Sequence, residues 1–106
     1  MIDLSVAKEH LRVRHSQDDQ YIQGLITDAV EVFNARTNRT LLAPDDPLPD
    51  PVGNSIRMTG SIRRGALMLI AHWYSNRESA VIGTITSELP MATQYLWEPY
   101  RWMNLR

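Results

Sequence analysis

Three histidines, two adjacent pairs of aspartates and a cluster of arginines are the residues of this chain whose types suit chemistry. His10 and His15 are five positions apart, which matches neither the i, i+3 nor the i, i+4 spacing of a helical metal pair. His72 stands beside Trp73 in an apolar stretch, where an imidazole packs or caps a helix rather than binding a metal. Asp18 and Asp19 point apart on a helix and suit its N-terminal dipole better than a shared site. Asp45 and Asp46 lie among prolines, with no rigid support for a carboxylate pair. The serines have no nucleophile-elbow context, and the five glycines are scattered rather than gathered into a phosphate loop. The chain has no cysteine, which excludes disulfides, cysteine-held zinc and thiol catalysis. The expectation is a non-enzymatic protein with no catalytic residues, no metal and no cofactor.

Two groups suit contact rather than catalysis. Arg57, Arg63 and Arg64 gather at the start of a predicted third helix. One reading is contact with phosphate as DNA passes nearby. The plainer one is a solvated face or the partner of an acidic neighbour. Cations at a helix N-terminus oppose its dipole, which favours an acidic partner from outside. The second group is the tail Tyr100, Arg101, Trp102 and Met103, whose composition is that of interface cores. It either docks on a neighbouring subunit or folds back onto its own core through Trp102. Lys8 is the single lysine among eleven basic residues. That bias suits interfaces, where arginine tolerates burial better; a GC-rich genome explains it equally well.

Four helices are predicted to carry these residues. Asp3 caps a first helix over Leu4 to Leu11. Ser16 starts a second, with Asp19 as its acidic partner three residues on. Ile22, Leu25, Ile26, Ala29, Val30 and Phe33 give it an apolar face, opposite Gln23, Thr27, Asp28 and Glu31. Gly24 marks close helix packing within it, and Asn38 ends it in the left-handed conformation. From Leu41 to Asn54 the prolines exclude a helix or central strand. An exposed, extended, acidic loop is expected, mobile in the isolated subunit and ordered against a partner. The third helix runs from Gly60 to Arg77 and is apolar over most of its circumference, so it needs several neighbours. Residues 79–87 form a second loop whose strand-like part, 81–86, can pair with Ser55 to Met58 as a minor β-hairpin. A last helix opens at Leu89-Pro90 and stops before Pro99.

The length of 106 residues allows one domain, spanning 1–106. The class is all-α: a small bundle of about four helices with a long proline-rich loop. A hydrophobic fraction of 43% with 22% charged residues is that of a globular protein. The net charge of -1 demands neither nucleic acid nor an anionic membrane. No membrane span and no secretory signal is read in the sequence.

Three ordered segments resemble the head–tail connector proteins of tailed bacteriophages, also called head-completion or adaptor proteins. The first is Asp3-Leu4-Ser5-Val6-Ala7-Lys8-Glu9-His10-Leu11-Arg12-Val13, followed by Asp18-Asp19 and the helix from Tyr21 to Ile26. The second is Ala71-His72-Trp73-Tyr74-Ser75-Asn76-Arg77-Glu78. The third is Glu88-Leu89-Pro90 with Leu96, Pro99, Tyr100 and Arg101. Thr37-Asn38-Arg39 resembles the family's turn after the second helix, with Asn where Gly is common. The chain departs from many members in its short, proline-heavy 41–54 loop.

The resemblance implies a mechanical role in the virion. Copies form a homo-oligomeric ring, about twelve-fold, below the portal protein. The ring extends the DNA channel without sequence recognition and presents a surface to the next head-completion or tail-completion protein. Assembly takes place in the host cytoplasm and involves no membrane. His72, Trp73, Tyr74 and Arg77 are the structural motif, with Trp73 in the core and Arg77 locking the helix end. Tyr100, Arg101, Trp102 and Met103 are the subunit or portal contact. The rivals are another small phage adaptor or tail-completion protein, a small helical DNA-binding regulator, and a small enzyme or toxin. A regulator needs an exposed polar, basic recognition helix. The second helix has an acidic outer face, and the third is too apolar.

Overall fold

The computed structural model describes residues 2–50, 53–76 and 89–102. Among them lie four α-helices: α1 (Leu4–Leu11), α2 (Asp19–Thr37), α3 (Gly60–Ser75) and α4 (Met91–Trp97). Two short strands, β1 (Thr40–Leu42) and β2 (Ser55–Arg57), stand between α2 and α3, and a 3-10 turn (Glu98–Tyr100) follows α4. The fold is the expected small helical bundle with minor β structure.

The helix ends differ from expectation in instructive ways. Asp3 occupies the N-cap position of α1, but its carboxylate makes no cap hydrogen bond. At the other end Arg12 adopts a left-handed conformation, φ 60°. This lets the Arg12 and Val13 amides close on the carbonyls of Glu9 and Lys8. The cap of α2 is Asp18, not Ser16, and neither Asp18 nor Asp19 acts as a capping side chain at that end: their carboxylates are committed to Tyr74 and Lys8. Asn38 ends α2 at φ 57°, as its type predicts. Thr59 caps α3 by accepting from the Ile62 amide. Helix α3 closes at Ser75, short of Arg77, which lies outside the described residues. Pro90 stands at the N-cap of α4 rather than inside it; α4 stops before Pro99, as expected, and Pro99 sits within the 3-10 turn that follows.

The strands refine the reading of 41–54 as an extended loop without helix or central strand: in a two-stranded sheet both strands are edges. Leu41 and Leu42 precede the first proline, so nothing prevents their extension, and they pair in parallel with Ile56 and Arg57. Parallel neighbours need a crossover, which the segment between β1 and β2 supplies. The expected hairpin partner, 81–86, lies outside the described residues. Asn34 launches β1: its Oδ1 accepts from the Leu41 amide at 3.0 Å. The loop begins as a turn, with the Ala43 amide donating to Asp46 Oδ2 and the Asp46 carbonyl accepting from Arg57 Nε at 2.9 Å.

The core lies between α2 and α3. Ile22, Leu25, Ile26, Ala29 and Phe33 of α2 meet Ile62, Ala66, Leu69, Ile70 and Trp73 of α3. Val32 of α2 is buried and Val30 only partly so. Helix α4 closes the third side through Trp97. Its ring meets Phe33 edge-on, with centroids 5.1 Å apart, and its Nε1 donates to the Ile62 carbonyl at 3.1 Å. Buried Thr93 donates to the Gly65 carbonyl at 2.9 Å. The indole lies directly over Gly65, where any Cβ would overlap it. Close packing is therefore at Gly65 and not at Gly24, which is exposed with nothing near its missing Cβ.

The two glycines are thus expected to respond with opposite signs. Gly24→Ala is expected to raise stability by about 0.5–1 kcal/mol through helix propensity. Gly65→Ala is expected to lower it by about 1–3 kcal/mol by displacing Trp97. Trp73, 3% exposed, is expected to cost about 3–5 kcal/mol on Trp73→Ala. Urea unfolding midpoints measure all three; equal signs for the two glycine variants would contradict the packing.

Candidate functional site

The motif residues of α3 tie three helices together. Tyr74 donates to Asp18 Oδ2 at 2.6 Å and its ring lies 6.2 Å from that of Tyr21. One residue along, Asp19 pairs with Lys8 of α1 at 2.7 Å. The adjacent aspartates that face apart on α2 thus each serve a different helix: Asp18 reaches α3 and Asp19 reaches α1. Trp73 is core, as expected. His72 is half-buried in the last turn of α3. His10 is exposed on α1, and His15 Nδ1 accepts from the Gln17 amide. Among the described residues no group of three or more metal-ligating side chains comes together. Nor is any described helix long and apolar enough to cross a membrane.

The structure divides the arginine trio. Arg57 extends from β2 and is spent on the Asp46 carbonyl. Arg63 and Arg64 are exposed on the first turns of α3. They border a shallow depression with His10 of α1, floored by half-buried Val6, Leu67 and Leu96. The outer residues of α3, Leu67, Met68 and Ala71, are also only half-buried, so the wide apolar surface read in the sequence is incompletely covered among the described residues.

The tail is fastened to its own domain. The Trp102 amide donates to the Thr37 carbonyl at 2.7 Å, and Arg39 stacks over the Trp102 ring at 5.0 Å. Arg39 Nε also donates to the Tyr100 carbonyl at 2.8 Å, while Tyr100 Oη meets Thr59 Oγ1 at 3.2 Å. Trp102 is thus held against its own domain, outside the core cluster, and is only partly buried. Arg101 points outward beside Glu98, 3.6 Å away, and borders a cleft of about 370 Å³ with Arg36 and Gln94. Met103 lies outside the described residues.

Sequence reasoning missed the most exposed apolar side chains among the described residues, Met91 at 83% and Tyr95 at 81%. They share the outer face of α4 at i, i+4, while Thr93 and Trp97 share the inner one at the same spacing. Both pairs have helical spacing, and only the fit of Trp97 over Gly65 decides which turns inward.

Arg39 holds the tail by two contacts of different kinds. Arg39→Ala is expected to weaken it by about 2 kcal/mol, from one charged hydrogen bond and one cation–π contact. Trypsin is expected to cleave after Arg101 faster in this variant, with little change in the far-UV circular dichroism. An unchanged cleavage rate would mean that Arg39 does not hold the tail.

Residues 1–101 match the family model described as Phage gp6-like head-tail connector protein. No curated protein and no solved structure matches the chain.

Proposed function

The chain belongs to the phage gp6-like head-tail connector protein family, and from that premise we propose that its copies form a ring, about twelve-fold, beneath the portal. It is a structural protein of the head–tail junction. In this reading the ring continues the DNA channel and offers its far side to the next head-completion or tail-completion protein. DNA passes through it without sequence recognition. Assembly takes place in the cytoplasm of the host bacterium, and the protein catalyses no reaction. The observation that carries the proposal is the family match over residues 1–101.

Two features of the surface support it. Leu67, Met68 and Ala71 leave α3 partly open to a neighbour. The tail presents Arg101 and one side of Trp102 after being fixed in place by Arg39. A pre-positioned aromatic loses little freedom on docking. In this reading Tyr100, Arg101, Trp102 and Met103 touch a neighbouring subunit or the portal.

Native mass spectrometry and negative-stain electron microscopy of the purified protein are expected to show closed rings. Deletion of Trp102 to Arg106 is expected to leave a folded protein, since Trp97 is the last buried core side chain among the described residues, and to abolish incorporation into heads. Normal incorporation of the truncated protein would remove the tail from the interface; outright unfolding would make it part of the core.

A further inference from the structure

We propose that the acidic proline-rich loop of one copy, which carries exposed Leu48, docks into the depression bordered by His10, Arg63 and Arg64 of the next copy. The inference rests on the reading of the chain as a ring subunit. A ring requires a heterologous contact, in which two different patches on each copy complement one another. The described surface offers such a pair.

One half is the loop. Asp45, Pro47, Leu48, Pro49 and Asp50 are all exposed, and Leu48, 42% exposed, is one of the large apolar side chains left in solvent. Its base is fixed by the turn at Ala43–Asp46 and by Arg57 on the Asp46 carbonyl. The prolines restrict the rest, so little conformational entropy remains to be lost on docking. The other half has the opposite charge around an apolar floor. His10, Arg63 and Arg64 rim half-buried Val6, Leu67 and Leu96. Among the described residues neither Arg63 nor Arg64 pairs with a carboxylate, and neither Asp45 nor Asp50 pairs with a cation. Two arginines at the start of α3 oppose the helix dipole, and carboxylates brought from outside relieve that repulsion. Leu48 covers the floor while Asp45 and Asp50 meet the rim. Buried apolar contact and matched charge together give such an interface its register.

The absence of cysteine makes the contact directly testable. Pro49→Cys and Ser61→Cys chains, both substituted at exposed positions, are mixed and treated with a short bis-maleimide. The mixed cross-linked dimer is expected to exceed either self-linked dimer. Arg63→Glu with Arg64→Glu on the Ser61→Cys chain is expected to lower its yield about tenfold, through like-charge repulsion. Asp45→Lys with Asp50→Lys on the Pro49→Cys chain is expected to do the same. Mixing the two reversed chains is expected to restore the product, which an unfolded variant could not do. Rings by native mass spectrometry without the mixed product, or with a product indifferent to either reversal, overturn this contact and leave the ring reading standing. Neither rings nor product overturns both. Loss of duplex DNA retention in the Arg63→Glu/Arg64→Glu chain with an unchanged cross-link assigns the arginines to phosphate and overturns the contact.

Discussion

The seat of Trp97 over Gly65 is the constraint on which the rest of the structure depends. A domain of this size has two principal core helices and little else to cover them. The indole fills the gap left by a missing Cβ, touches Phe33 edge-on and donates to the Ile62 carbonyl. Thr93, one turn earlier, binds the Gly65 carbonyl from the same side. These contacts fix α4 in both position and rotation. The rotation sends Met91 and Tyr95 outward, and the position brings the following turn to Arg39 and Thr37, where the tail is fastened. One packing detail therefore decides both what is core and what is left exposed on α4.

Much of this was legible in the chain, and where it was not the reasons are physical. The apolar spacing of α2 and α3 and the left-handed stop at Asn38 follow from local rules, because periodicity and terminal geometry are properties of a few neighbouring residues. The role of Asp18 and Asp19 did not follow, because their partners, Tyr74 and Lys8, are distant in sequence. A capping residue and a bridging residue have the same local signature. Likewise Gly24 and Gly65 are both glycines within helices, and only the tertiary neighbour of the second distinguishes them. The parallel strand pair was hidden by its prolines, which crowd the connection and leave the paired residues free.

The surface was less legible than the core. Arg57, Arg63 and Arg64 are close in sequence, yet β2 directs the first to the loop while α3 exposes the other two. The tail composition announces a contact but not with what, and the structure shows that its first contact is with its own domain. Trp102 is still only partly buried when held by Arg39. The match over residues 1–101 places the chain in the phage gp6-like head-tail connector protein family.

The most direct measurement of that role is made on virus particles lacking this protein. Electron microscopy of a phage with the gene deleted is expected to show heads and tails that remain separate, with purified protein restoring joined particles when added back. Joined, infectious particles formed in its absence would contradict the account.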